Sequence, residues 1–229
     1  MIGLIGAMRI ETEEIIQAMS HAQEEAISGV TYVHGFIGGQ EIVAATCGIG
    51  KVFAALCAQT MILKYKVSHI INLGVAGGLA PGLAVGDIVI ADKVVQHDID
   101  TSALGDPVGL ISGINQVYLS CDPESAQRFG KIAEQLKYSA STGVIASGDQ
   151  FIAKATAKIR LQREFGAVAC EMEGGAIGQI CFVNQVPFTL LRAISDGADN
   201  SAGTDYQTFA KTSAAHMQAM IMAYLTSRP

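Results

Sequence analysis

Short apolar runs that end in glycine or in a charged residue, each followed by a segment of helical period, recur along this chain and leave few folds open to it. Ile2 to Met8 is the first, and Glu11 to Ala22 follows with Ile15, Ile16, Ala18 and Met19 at helical spacing. Thr31–Ile37 and Glu41–Thr46 read as a hairpin turning at Gly38-Gly39, and Lys51 to about Lys64 as a helix opened by Gly48-Ile-Gly50. His69–Leu73 is a strand feeding a glycine-rich loop, Gly74–Gly78, and Asp87–Val95 is another strand. After an irregular stretch from His97 to Pro123, helices are predicted at Ser125–Lys137, Lys154–Phe165, Gly174–Asn184 and Tyr206–Ser227. Strands are predicted between them at Gly143–Ala146, Ala167–Cys170 and Pro187–Ile194. Half of the residues are hydrophobic and 16% are charged, so such strands can be buried on both faces. The pattern predicts an α/β fold with a mostly parallel, mixed central sheet flanked by helices. No linker or repeat divides it, so residues 1–229 read as a single domain.

Several classes of partner are excluded. The formal charge is −6 with Lys and Arg scattered, which argues against nucleic acid and against a membrane surface. The N-terminus has no basic leader, and the apolar stretch Ile70–Val85 is broken by Gly and Pro. Cys47, Cys57, Cys121, Cys170 and Cys181 lie in or near apolar runs without CxxC spacing, as buried thiols of a reducing cytoplasm would. The five His are dispersed, so no zinc site is expected.

In sheets of this kind ligands bind beyond the carboxyl ends of the strands. Glu11, the Gly74–Gly78 loop, Ser147-Gly-Asp-Gln-Phe151, Glu171-Met-Glu173, and Arg192 with Ser195-Asp196 all fall there. Each alone has a plainer reading. Glu11 could complement a helix dipole, Asp196 could be a cap or turn residue, and one of the two glutamates could be structural. The glycine loop lacks both GxGxxG and GxxxxGK[ST]. Arg192 is harder to set aside, because a charge inside the run Thr189–Ile194 needs a buried partner. Together they describe a small-molecule enzyme, a hydrolase or transferase. Two carboxylates in different surroundings can divide acid and base roles at a glycosidic carbon.

The same blocks, in order, resemble one family. Ile2-Gly-Leu-Ile-Gly-Ala-Met8 with Glu11, Gly48-Ile-Gly-Lys51, Asn72-Leu-Gly-Val-Ala-Gly-Gly78 and Val85-Gly-Asp87 come first. His97-Asp-Ile-Asp100, Ser147-Gly-Asp-Gln-Phe-Ile152, Glu171-Met-Glu173 and Arg192-Ala-Ile-Ser-Asp196 follow. Together they are similar to the methylthioadenosine/S-adenosylhomocysteine nucleosidases. The resemblance implies a three-layer, nucleoside-phosphorylase-like α/β/α sandwich, a homodimer, no metal or organic cofactor, and hydrolysis between adenine N9 and ribose C1'. It implies Glu11 as the base that activates water and Asp196 as the acid that protonates adenine N7, with its pKa raised by burial. Glu173, beside the Met172 backbone, would hold the ribose hydroxyls, with Arg192 orienting the cluster and Ser195 supporting Asp196. Phe151 would stack on adenine and the Ile152 backbone read its edge. Ala76 and Gly77 would contact the substrate, and Met8, Ile49 and Tyr206 would line the pocket for the 5'-alkylthio group. The loop after His97 would reach the partner's site.

The chain departs from that pattern in places. Val75 stands where many members carry a Ser that can hold the water. Arg9-Ile10 and Gly174-Gly175 are unusual, and Leu104 replaces an aromatic residue. A related nucleosidase acting on aminodeoxyfutalosine is one alternative. Another is a phosphorylase of the same fold, which needs a phosphate cradle where only Arg9 and Arg192 are at hand. A non-catalytic nucleoside-binding protein is the third, and would be expected to lack the acid or the base.

Overall fold

The computed structural model describes residues 1–227. The chain opens with β1 (Ile2–Gly6), α1 (Arg9–Gln17), β2 (Ser20–Ile27), β3 (Val30–Ile37) and β4 (Gln40–Thr46). It continues through α2 (Lys51–Tyr65), β5 (His69–Gly78), β6 (Ile88–Gln96), β7 (Tyr118–Ser120), α3 (Pro123–Leu136) and β8 (Ala140–Ser147). The last elements are α4 (Ala155–Phe165), β9 (Ala167–Glu171), α5 (Gly174–Asn184), β10 (Phe188–Asp196) and α6 (Ala202–Thr226).

Among the described residues the strands form one mixed sheet, ordered β10-β6-β8-β9-β5-β1-β4-β3-β2, with β7 on β6. β10 also pairs with β5, so five of these strands close into a ring. β1 runs parallel to β4 and β5, and β10 parallel to β5, which brings their carboxyl ends to one edge. The apolar runs alternate between two cores, as the pleat requires. Ile5 and Ile70 face α2 and α5, where Cys57, Met61, Ile177 and Cys181 meet them. Leu4, Ile71, Leu73 and Leu191 face Ile15 of α1, Phe129 of α3, and Met217 and Ile221 of α6. Helices on both faces explain why every residue of β10 is buried.

Three expectations are corrected. The first helix stops at Gln17, and residues 20–27 are strand. β2 is an edge strand paired only with β3 and exposed along almost its whole length, so it has no apolar alternation to announce it. Gly74–Gly78 is no loop but the second half of β5, hydrogen-bonded to β10 and to β9. The final helix begins four residues early, at Ala202. The Gly38-Gly39 turn is present, with φ of 58° and 83°. The stretch from 97 to 123 is mostly irregular, apart from a 3-10 turn at Ser102–Leu104 and β7. Asp122 caps α3, accepting from the Ser125 amide at 2.9 Å.

Candidate active site

The carboxyl ends of β1, β5, β9 and β10 and the first turns of α1 and α6 enclose a cleft of about 350 Å³. Met8, Glu11, Ile49, Ala76, Gly77, Phe151 and Ile152 line it, with Met172, Glu173, Ser195, Asp196 and Tyr206. Of the residues to which the resemblance assigns a role, only Arg192 stays out of the lining. It lies behind the wall, fully buried.

Glu11 sits in the first turn of α1 and is 2% exposed. Its Oε2 accepts from the backbone N–H of Ala7 at 2.7 Å and of Met8 at 2.8 Å, and its Oε1 from Val75 N–H at 3.0 Å. Burial pushes its pKa up, while the Arg192 charge and these three N–H donors pull it back. The β5 glycines are what let the carboxylate in. A Cβ on Gly74 would stand 2.6 Å from Glu11 Oε1, and one on Gly77 would stand 3.0 Å from Asp196 Oδ1. A glycine sequence that reads as a flexible loop is therefore a strand stripped of side chains to admit two acids.

Asp196 ends β10 and is buried. Its Oδ2 accepts from Ser195 Oγ at 2.8 Å and its Oδ1 from Ala198 N–H at 2.9 Å. Burial raises its pKa against these two donors. It does not cap α6, where Ser201 is the N-cap. Ser195 thus donates directly to it.

Glu171 and Glu173 have different surroundings. Glu171 Oε1 accepts from Ser147 Oγ, and its Oε2 accepts from Arg192 Nη2 and from the N–H groups of Glu173 at 3.0 Å and Gly174 at 2.8 Å. It is the partner that the buried Arg192 requires, with Asn72 Oδ1 at 2.7 Å from the same nitrogen. Glu173 accepts from Gly50 N–H at 2.8 Å and otherwise faces the cleft. Its pKa is pushed up to about 8, by burial first and by the Glu171 charge second.

The rest of the cleft is apolar. Tyr206 Oη lies 2.8 Å from Met8 Sδ, and the Phe151 ring meets the Tyr206 ring edge-on at 5.6 Å. Phe151 and Ile49 are both more than half exposed at the mouth. Val75 contributes an apolar side chain, where the backbone below it holds Glu11. Arg9 points away and pairs with Glu13 in solvent. No Lys or Arg lines the cleft among the described residues, nor do any three His, Cys, Asp or Glu gather to hold a metal. Gln150, within the Ser147–Phe151 segment named above, also lines it, as do Ala7 and Cys170, which were given no role. Each adjoins an expected residue at a strand end, which was the signal available.

The model of the phosphorylase superfamily matches residues 1–226. A 5'-methylthioadenosine/S-adenosylhomocysteine nucleosidase of Shewanella frigidimarina is 34% identical over 98% of both chains. The crystal structure of the enzyme of the same name from Neisseria meningitidis, in complex with methylthio-immucillin-A, superposes with a TM-score of 0.96. It is 31% identical over 99% of both chains. A futalosine hydrolase of Helicobacter pylori strain 26695 superposes with a TM-score of 0.91 at 34% identity, over 96% of both chains.

Proposed function

Because the chain belongs to the phosphorylase superfamily and, within it, to the 5'-methylthioadenosine/S-adenosylhomocysteine nucleosidases, we propose a mechanism in which Glu11 and Asp196 divide the work of cleaving these nucleosides. The enzyme hydrolyses the N-glycosidic bond of 5'-methylthioadenosine and S-adenosylhomocysteine, releasing adenine and the thioribose product. Glu11 Oε1 receives only the Val75 N–H and keeps an acceptor position for a water. As the water oxygen bonds to C1', its proton passes to Glu11. The C1'–N9 bond breaks, and the proton of Asp196 goes to N7, so that adenine leaves neutral. The N–H donors at Glu11 favour its ionised form, and the burial of Asp196 favours its protonated form.

Glu173 holds the ribose hydroxyls beside the Met172 backbone, Phe151 stacks on adenine, and Ile152 reads the base edge. Ala76 and Gly77 floor the sugar site, and Met8, Ile49 and Tyr206 surround the 5'-alkylthio group. Arg192 orients the glutamates from behind. The observation that carries hydrolysis over phosphorolysis is a cleft lined by four buried acids and by no cation among the described residues. Phosphate would find no cradle there.

The exposed apolar residues Val52 and Phe53 of α2, with Ile49 beside the cleft, support a homodimer. Leu104, 83% exposed, would let the loop after His97 reach the partner's site. One continuous sheet supports residues 1–229 as a single domain, of which 228 and 229 lie outside the described residues. Five buried free thiols support a reducing cytoplasm, and no described helix is long and apolar enough to cross a membrane.

Adenine release from 5'-methylthioadenosine, S-adenosylhomocysteine and aminodeoxyfutalosine, with and without phosphate, tests this reading. Release independent of phosphate is expected, fastest with a thio-substituted substrate. Release only with phosphate overturns it, and a preference for aminodeoxyfutalosine reassigns the substrate.

A further inference from the structure

Three carboxylates, Glu11, Glu171 and Glu173, are buried around the single guanidinium of Arg192. With all three ionised, the cluster would hold two uncompensated negative charges out of water, so a proton belongs among them. The hydrogen bonds decide where it sits. Glu11 accepts three backbone N–H groups. Glu171 accepts Ser147 Oγ, two backbone N–H groups and Arg192 Nη2. Ser147 Oγ in turn accepts Gly175 N–H at 2.6 Å, which leaves its own proton for Glu171. A proton on Glu171 would meet one of these donors head-on. Glu173 accepts one donor, Gly50 N–H on Oε1, and its Oε2 stands 3.9 Å from Arg192 Nη2, beyond hydrogen-bond reach.

We propose that Glu171 is a positioning residue that takes up the charge of Arg192 and so leaves Glu173 the neutral acid of the empty cleft, with its proton on Oε2. This rests on the reading of Glu173 as the ribose-binding group. It concerns the site before substrate enters. Of the three carboxylates around Arg192, Glu11 then carries the one charge that the guanidinium does not take up. Ionising Glu173 would add a second and disfavour the ionised form of Glu11 that its role as base requires.

The groups that face Glu173 are few. They are Glu11 from α1, Cys47 after β4, Glu171 from β9, Arg192 and Asp196 from β10, and Tyr206 from α6. At the first turn of α2, Lys51 is spent on Asp98 at 2.7 Å, and Asp149 accepts the Lys51 N–H at 2.8 Å. Cys47 and Tyr206 are both pushed up by burial and stay neutral over the working range. Among the described residues Arg192 is thus the one cation able to ionise Glu173, and Glu171 holds it.

The test is infrared difference spectroscopy on the ligand-free protein, titrated with pH and compared with Glu173→Gln. Wild type should carry, at neutral pH, a protonated-carboxyl C=O band that Glu173→Gln lacks and that disappears as pH rises through about 8. In Glu171→Gln the guanidinium is freed towards Glu173. The band should then vanish about one pH unit or more lower, and the alkaline side of kcat/KM for adenine release should move with it. Should Glu171→Gln fail to fold, Ser147→Ala removes one donor from Glu171 and should shift the band the same way by less. A purely structural Glu171 would depress activity and leave the band where it was, which overturns the proposal. A wild-type spectrum without any band lost in Glu173→Gln does so too. The readout needs no turnover, so a protein that releases no adenine but shows the band refutes the function and spares this assignment.

Discussion

Glu11 and Asp196 are both acids, and their separate duties come from what surrounds them. Glu11→Gln keeps the shape and removes the base, and Asp196→Asn removes the proton destined for the leaving base. Each should lower kcat on the order of 10²–10⁴-fold with the thermal unfolding curve little changed. An activity close to wild type in either would sink the role assigned. Both pKa values are raised by burial, so the signs of the pH profile follow. Glu11 must be ionised, so activity falls with acid at a pH above that of an ordinary carboxylate. Asp196 must be protonated, so activity falls with alkali as it and Glu173 lose their protons. Stopped-flow measurement of kcat/KM across pH reads both limbs. Gly74→Ala is the sharper steric test. Its Cβ would stand 2.6 Å from Glu11 Oε1, so it should cost activity out of proportion to stability. At this scale nearly all of the site was legible, because acids at strand ends are visible in one dimension. The pairing of Arg192 with Glu171 rather than Glu173 was not, since the two glutamates differ only in which way the chain turns after β9.

The elements show why some of the fold is readable and some is not. β1 and β10 are buried on both faces, and largely apolar runs, interrupted in β10 by Arg192, report that directly. β2 pairs in the sheet with β3 alone, and no apolar alternation in Ser20–Ile27 records that neighbour, so its identity is tertiary. β5 misleads for the opposite reason, because its glycines make room for Glu11 and Asp196 and do not form a turn. The N-terminus of α5 follows the same logic. A Cβ on Gly175 would stand 2.6 Å from Gln96 Cγ and 2.8 Å from Ser147 Cβ. Gly175→Ala should therefore destabilise by about 1–3 kcal/mol through overpacking, readable as a lower urea midpoint with unchanged slope. Between α3 and α6, Phe129 stacks on Tyr224 with ring centroids 4.4 Å apart, and the Arg128 guanidinium lies 4.0 Å from the Tyr224 ring centre. Phe129→Ala should cost about 3–5 kcal/mol by the same measurement. A loss under 1 kcal/mol would mean that the two helices close over the gap.

For the whole molecule, the dimer reading makes a prediction of its own. Sedimentation should give a species of twice the chain mass. Val52→Glu, at a residue 78% exposed in the single chain, should shift it towards the monomer and weaken substrate binding if the partner completes the 5' pocket. A wild-type monomer with full activity would remove that reading and leave the chemistry untouched. The ring that β10 closes against β5 bears on how such a molecule can diversify. Val75, whose N–H fixes the base, pairs with Ala193, and Gly77 pairs with Asp196, the acid. The two reacting groups are thus pegged to rungs of one ladder, two residues apart, while the mouth of the cleft is made of side chains such as Ile49 and Phe151 that touch no rung. The ladder works as a gauge block. Substitutions at the rim can retune which 5' group is admitted, generation after generation, without altering the span across which a proton enters on one side of the glycosidic bond and leaves on the other.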